Sequence, residues 1–134
     1  MRVKDIMQTN LFVLFEEDKV SSIFELMKMK KIRHIPIVDK HYKLIGLITY
    51  REIIDALVRK SGNSQIKDIM IKEVKAVEPE TPLKGVLDVM IVNKFGCLPV
   101  VDSSRKLIGI ITEIDLLKTL YEISTMPADF YSPR

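Results

Sequence analysis

Hydrophobic residues recur with the spacing of amphipathic helices in two separate stretches of the chain. They occupy positions i, i+3, i+4 and i+7: Val20, Ile23, Phe24 and Met27 in the first stretch, and Leu83, Val86, Leu87 and Met90 in the second. This spacing predicts a helix with one buried face in each stretch. A later apolar series predicts a closing helix in each half: Ile53, Ile54, Leu57 and Val58, then Leu116, Leu117 and Leu120.

Between the two helices of each half lie short apolar runs separated by polar turns, a pattern typical of β-hairpins. The runs are His34–Asp39 and Leu44–Thr49 in the first half, and Cys97–Asp102 and Leu107–Thr112 in the second. Weaker apolar segments over 12–15 and 75–77 are candidates for an additional, earlier strand. Each half is therefore predicted to follow the order β-α-β-β-α.

The two halves are copies of one another, as a shift of the chain against itself shows. A displacement of 63 residues aligns 3–55 with 66–118 without a gap, so that Lys4-Asp5-Ile6-Met7 falls on Lys67-Asp68-Ile69-Met70. The sequence predicts a first repeat over 1–60, a polar linker over 61–65, a second repeat over 66–122 and a tail over 123–134.

The predicted fold class is α/β (α+β), with tandem βαββα repeats. A unit of about 60 residues is marginal on its own, so we expect the repeats to pack sheet to sheet about a pseudo-two-fold axis as one globular module. That arrangement leaves two symmetry-related clefts, and a concave seam of this kind is the natural place for a ligand.

Composition excludes several classes of protein. The 134 residues carry a formal net charge of +3 and are 47% hydrophobic, too apolar for a disordered chain. No apolar run approaches the roughly 20 residues of a membrane span, and the N-terminus does not have the pattern of a signal peptide. The single cysteine, Cys97, excludes an internal disulfide and fits a reducing compartment. We expect a cytoplasmic protein that does not contact membranes.

The polar residues do not favour catalysis, a metal or nucleic acid. Two histidines and one cysteine give no nucleophile–base series, and the GxxxxGK[ST] phosphate loop is absent. His34 and His41 lack the Cys/His clustering of a zinc site. Lysines gather at one helix end, at Lys28, Lys30 and Lys31, but the helix dipole alone accounts for them. We expect no enzymatic activity, no metal and no cofactor.

One polar motif occurs at the strand-to-helix junction of both repeats, as Thr49-x-x-Glu52 and Thr112-x-x-Asp115. As local structure it is a capping box, in which the acid closes back on the threonine. As a site, the helix N-terminus offers N–H groups suited to a phosphate, and the carboxylate can accept hydrogen bonds from both hydroxyls of a ribose. Both interpretations use the same geometry, and the sequence leaves both open.

The duplicated pattern resembles the CBS-domain pair, also called a Bateman module. The shared features are the opening Val-Lys-Asp-Ile-Met, the apolar-x-Pro-apolar-Val-Asp strand and the apolar-Gly-apolar-apolar-Thr-x-x-acid close, which together span 3–121. The resemblance implies a regulatory module that binds AMP, ADP, ATP or S-adenosylmethionine between its repeats. It also implies a homodimer that signals to a separate effector protein. The alternative is a ligand-free dimerisation or docking module, in which both threonine motifs are only caps.

Carried over to this chain, the resemblance assigns Asp115 to the ribose and Thr112 to the phosphate or ribose side. The first repeat departs from the family pattern, because Glu52 stands where the family has aspartate. One extra methylene displaces the carboxylate, so the occupancy of a site at Thr49 and Glu52 stays open.

The resemblance further implies that the residues at the start of each hairpin line the clefts: Arg33, His34, Ile35 and Pro36 in the first repeat, and Cys97, Leu98 and Pro99 in the second. Apolar members would flank the adenine, whereas Arg33 and His34 would reach a phosphate. Arg51 is a lesser candidate for the same phosphate. We therefore predict a single principal site, with the ribose on the second repeat and the phosphate on the first.

Overall fold

The computed structural model describes residues 1–60 and 63–125, and within them the two halves share one order of elements. In the first sequence repeat these are α1 (Val3–Ile6), α2 (Val20–Lys30), β1 (His34–Val38), β2 (Leu44–Thr49) and α3 (Tyr50–Val58). The second sequence repeat has α4 (Ile66–Ile69), α5 (Leu83–Asn93), β3 (Cys97–Val101), β4 (Leu107–Thr112) and α6 (Glu113–Ser124). Mixed helix and strand content, the duplicated hairpins and the closing helices are confirmed. The predicted tail beyond residue 125, like residues 61 and 62, lies outside the described residues.

Each hairpin is an antiparallel pair with the same register in both halves. His34 pairs with Thr49 in β1–β2, and Cys97 pairs with Thr112 in β3–β4. Both pairs carry an irregularity at the same position, before Val38 and before Val101. The hairpins meet turn to turn, where the backbone N–H of Leu44 donates to Arg105 at 3.1 Å.

The predicted earlier strands are much shorter than expected. Each is a single parallel bridge, Leu14 with Ile37 and Val77 with Val100. In the first half the chain turns at once, because the backbone N–H of Phe15 donates to the Asp18 carboxylate at 2.8 Å. In the second half Pro79 follows and has no N–H to extend a ladder. The predicted strands over 12–15 and 75–77 are corrected accordingly.

The opening segment of each sequence repeat packs on the other repeat. Val3 of α1 is fully buried in the core that contains β3 and β4, and its N–H donates to the Thr81 carbonyl at 2.9 Å. Conversely, Ile66 of α4 is fully buried in the core of the first half, and its N–H donates to the Asp18 carbonyl at 2.8 Å. The spatial halves are therefore not identical to the sequence repeats.

A third core joins the two halves, and we call it the seam core. It consists of side chains from both hairpins and from the segment after α4: Val38, Leu44, Leu47, Val74, Cys97, Val101, Leu107 and Ile110. Glycine in the middle of β2 and of β4 lets the exchanged segments approach this seam. A Cβ on Gly109 would lie 2.8 Å from the Met7 Sδ and 3.0 Å from the Gln8 carbonyl oxygen, so only glycine fits here without a shift.

Candidate functional site

The Thr112–Asp115 motif forms a closed cap at the start of α6. The Asp115 Oδ2 accepts from the Thr112 backbone N–H at 2.8 Å and from its hydroxyl at 3.0 Å. The Asp115 N–H in turn donates to the Thr112 Oγ1 at 3.3 Å. The other carboxylate oxygen, Oδ1, accepts from the Gln8 side-chain amide at 2.7 Å. Asp115 is 8% exposed, so its carboxylate lies beneath the surface and not in bulk water.

The motif of the first repeat has the same cap with a longer acid. The Glu52 Oε1 accepts from both the backbone N–H and the hydroxyl of Thr49, each at 2.7 Å. The local capping geometry expected from the sequence is therefore present in both repeats. The residue equivalent to Gln8 is Ile71, an apolar side chain that has no amide to offer Glu52.

A cleft of about 990 Å³ lies at the seam between the two halves. Its lining includes six of the residues that the sequence nominated, together with others from both repeats; the six are Arg33, His34, Pro36, Thr49, Arg51 and Thr112. The two hairpins bring them together, because their first and last residues pair across each sheet and α3 and α6 start immediately after. Arg33 and Arg51 of the first repeat and Thr112 of the second therefore line the same cleft.

Several nominated residues do not line this cleft. Ile35 and Leu98 are 0% and 1% exposed and belong to the hydrophobic cores of the two halves. Alternate residues of a strand face opposite sides of the sheet, so His34 and Pro36 face the cleft while Ile35 faces the core. The expectation that Ile35 and Leu98 flank a ligand is corrected on this ground.

The first residue of the second hairpin, Cys97, is more deeply buried than the first residue of the other hairpin, His34. Cys97 stands at the position equivalent to His34 but is 3% exposed within the seam core, and Pro99 is buried as well. Burial, followed by the neighbouring Glu113 charge, raises the pKa of the Cys97 thiol to about 12. Cys97 and Pro99 are therefore packing residues and not cleft residues in this structure.

Glu52 does not line the seam cleft, although its carboxylate accepts hydrogen bonds from Thr49, which does. It borders a pocket of about 370 Å³ together with residues of α3, of α4 and of the segment before α4. This pocket is not the symmetry mate of the seam cleft, since it reaches neither Thr49 nor the start of β3. Asp115 likewise is not part of the cleft wall: Thr112 and Gln8 line the wall, and Asp115 lies behind them.

His34 of the first repeat lies against Gly96 of the second in the cleft. A Cβ on Gly96 would lie 2.7 Å from the His34 Nε2, so the absence of a side chain at Gly96 makes room for the imidazole. Burial lowers the pKa of His34 below its usual 6.5, and the nearby Glu113 charge opposes that shift only in part. The shift favours the uncharged imidazole in the cleft.

The positive charge of the cleft comes instead from four exposed side chains of the first repeat, Lys28, Lys31, Arg33 and Arg51. Among the described residues that line the cleft, Glu113 is the one acid that opposes them. Sequence reasoning assigned the lysines to the helix dipole and missed their place in the cleft. The sequence shows that these lysines lie close to Arg33 along the chain. Only the fold shows that the end of α2 borders the seam cleft.

Among residues 1–60 and 63–125, no helix has both the length and the apolar character needed to cross a membrane. The same part of the chain contains no group of three or more His, Cys, Asp or Glu side chains placed to hold a metal ion.

Comparison with known proteins places this architecture in a family. The sequence profile of the CBS domain matches the chain twice, over residues 3–59 and 66–122. The chain belongs to the CBS domain family. Its two matched segments form a CBS domain pair, and such pairs are in general regulatory modules without catalysis of their own.

Solved CBS pairs share the fold closely. The CBS domain pair of protein MJ0100, solved with 5′-methylthioadenosine and S-adenosyl-L-methionine, is 28% identical with a TM-score of 0.84, covering 92% of this chain and 98% of that one. CBSX2 from Arabidopsis thaliana, solved with AMP, is 27% identical with a TM-score of 0.81, again covering 92% and 98%.

Protein MJ1225 of Methanocaldococcus jannaschii is 38% identical over 119 residues, which are 88% of this chain and 42% of MJ1225. The chain also matches a homoserine O-acetyltransferase of Methanohalobium evestigatum at 31% identity, covering 90% of this chain but only 24% of that protein. This CBS pair therefore spans less than half of the length of these two relatives.

Proposed function

We propose that this CBS pair is a non-catalytic regulatory module that binds an adenosine-containing ligand, AMP, ADP, ATP or S-adenosylmethionine, in the seam cleft. The observation that supports the proposal most strongly is the composition of the cleft. Four cations from the first repeat and the α6 N-terminus with Thr112 from the second line one cavity. A cavity of about 990 Å³ is at the upper end of the range for small-molecule sites, roughly 300–1,000 Å³.

The cleft provides a different group for each part of a nucleotide. Pro36, Ile110 and the exposed ring of Phe12 offer apolar contact to a base. Thr112 in the cleft wall, together with Asp115 behind it, would accept from the ribose hydroxyls. Arg33 offers a fixed fork of donors for phosphate oxygens, and the lysines at the end of α2 add point charges. The site at Glu52 remains a weaker candidate, because Glu52 does not line the seam cleft and borders a second, smaller pocket.

The signal would come from the bridging position of the ligand. A compound that contacts Arg33 in one repeat and Thr112 in the other favours whichever relative angle of the repeats makes both contacts best. Such a ligand shifts the equilibrium only by its difference in affinity between the two shapes. The changed shape would then be read by a separate effector protein.

Calorimetric titration with the four adenosine compounds tests the proposal. We expect saturable binding by the wild-type chain and at least a tenfold loss of affinity, about 1.4 kcal/mol, in Asp115→Ala. Glu52→Ala is the matched control, since it removes the equivalent cap carboxylate of the other repeat and should keep nearly full affinity. Equal binding by wild type and Asp115→Ala would contradict the assignment.

The ligand-free docking alternative makes a different prediction for the same protein. A ligand at 100 times its dissociation constant adds about 2.7 kcal/mol to the stability of a protein that binds it only when folded. A docking module would show no shift of the thermal midpoint with any of the four compounds.

We further propose that the module forms a homodimer through the outer faces of α3 and α6. Both helices expose apolar side chains at equivalent positions, with Ile54 and Val58 at 39% and 76%, and Leu117 and Tyr121 at 57% and 69%. A second copy would present the same faces, as a two-fold interface requires. Sedimentation should give a dimer for wild type and a monomer for Leu117→Glu. Ile91→Glu on α5, also exposed, is the control that should stay dimeric.

A further inference from the structure

The hydrogen bond between Gln8 and Asp115 joins residues 107 positions apart at the edge of the seam cleft. Gln8 lines the cleft and its residue is exposed, whereas Asp115 is 8% exposed and does not reach the cleft wall. The amide nitrogen of Gln8 lies 2.7 Å from the Asp115 Oδ1. The side chain of Gln8 therefore occupies the carboxylate oxygen that points away from the cap.

Two hydrogen bonds hold the backbone of Gln8, whereas the residue itself is exposed to solvent. Its N–H donates to the Ile110 carbonyl at 2.9 Å, and its carbonyl accepts from the Ile110 N–H at 3.0 Å. The absence of a side chain at Gly109 allows this close approach. Rotation about the side-chain bonds of Gln8 alone would uncover the Asp115 Oδ1, with no change in the backbone of the segment that carries Gln8.

The other repeat lacks this arrangement, although its backbone is the same. Ile71 exchanges the equivalent two hydrogen bonds with Leu47, at 2.9 and 2.8 Å. Its side chain is apolar and leaves Glu52 without an amide partner at that position. Gln8 and Ile71 therefore differ in their side chains but make equivalent backbone hydrogen bonds.

We propose that Gln8 gates the access of a ribose to Asp115. This inference rests on the proposed function and concerns the same cleft. When the cleft is empty, the Gln8 amide occupies the Asp115 Oδ1. A ligand whose ribose bears two free hydroxyls displaces that amide and donates to the carboxylate in its place, whereas a ligand without these hydroxyls cannot make the exchange. Gln8 is a positioning residue that sets how much affinity the ribose contributes.

Titration of Gln8→Ala with AMP and with 2′,3′-dideoxyadenosine monophosphate tests the gate. Removing the competing amide should tighten AMP binding by about tenfold, the equivalent of one hydrogen bond to a charged group. The dideoxy compound, which has no ribose hydroxyls to exchange, should bind wild type and Gln8→Ala equally. Ile71→Ala is the matched control and should leave both affinities unchanged. Because the side chain of Gln8 is exposed, the substitution should not prevent folding, and circular dichroism checks this directly.

Three results would overturn the gate. Weaker AMP binding by Gln8→Ala would show that Gln8 contacts the ligand directly. Unchanged AMP binding would show that the amide does not compete with the ribose. Equally tighter binding of both compounds would show that Gln8 only takes up space in the cleft. Failure of the proposed function gives a separate signature, in which wild type binds neither compound at any concentration tested. In the Asp115→Ala background the effect of Gln8→Ala on AMP should vanish, as expected for two coupled positions.

Discussion

His34 has a different environment from the residue that replaces it in the other repeat. Its imidazole fills the space beside Gly96 and faces Glu113, while the equivalent Cys97 is enclosed in the seam core. Substitutions at such equivalent positions, rather than any difference of backbone, give the two repeats different chemistry. The seam cleft therefore has four cations from the first repeat and Thr112 from the second.

The lowered pKa of His34 predicts a pH dependence of stability. Because burial disfavours the charged imidazole in the folded state, the unfolded chain binds more protons just below pH 6.5, and folding becomes less favourable as the pH falls through that range. The uncharged imidazole therefore does not reduce the free energy of unfolding above pH 6.5. Below that pH, this free energy falls by at most about 1.4 kcal/mol per pH unit.

Denaturant unfolding of wild type and His34→Gln between pH 7.5 and 5.5 measures this dependence. The wild-type free energy of unfolding should fall with decreasing pH, and His34→Gln should show a flatter profile. His41→Gln, at an exposed position of the β1–β2 turn, should retain the wild-type slope. Equal slopes in all three proteins would contradict the role assigned to the buried imidazole.

At the residue scale, sequence patterns predicted contacts between residues close together in the chain. They missed contacts between residues far apart in the chain. The caps at Thr49 and Thr112 follow from a spacing of three residues, and both are present. Gln8 contacts Asp115 across 107 positions, and no local pattern carries that information. The prediction placed Ile35 and Leu98 in the cleft because it treated every residue at the start of the strand as a cleft residue. Alternation along a strand already puts Ile35 on the opposite face of the sheet from His34.

At the scale of elements, periodicity predicted the helices and hairpins well because each buries one face. The early strands were overestimated, since Leu14 and Val77 each make only one bridge before the chain turns. The exchange of α1 and α4 between the halves was not foreseen. The alignment of the repeats suggests that each copy folds on itself. Val3 and Ile66 are equivalent apolar residues, so their type does not indicate which of the two cores each one enters.

The exchange makes a prediction about Ile66, which lies in the second sequence repeat but in the core of the first half. Ile66→Ala should lower the free energy of unfolding by about 2–5 kcal/mol because it leaves a cavity. Its effect should be coupled to that of Ile53→Val in the same core and additive with Ile111→Val, which lies in the other core.

Chemical denaturation of the single and double variants gives these coupling energies. A coupling of 0.5 kcal/mol or more is expected for the Ile66–Ile53 pair. Additivity for that pair together with coupling between Ile66 and Ile111 would show that α4 packs on its own repeat.

At the scale of the whole molecule, the two halves hold each other through three connections. The exchanged segments, the seam core and the turn-to-turn contact of the hairpins all cross between them. The duplication, the family and a cleft at the seam could be predicted from sequence. The asymmetry of the seam could not, because it depends on which equivalent side chains face the cleft once the halves are joined.

A crystal structure of the protein grown with saturating AMP tests the central claim most directly. The account predicts AMP in the seam cleft, with its ribose hydroxyls within about 3 Å of the Asp115 carboxylate and its phosphate against Arg33. A cleft that stays empty at saturation, or AMP bound at the Glu52 pocket with Asp115 still held by Gln8, would contradict it.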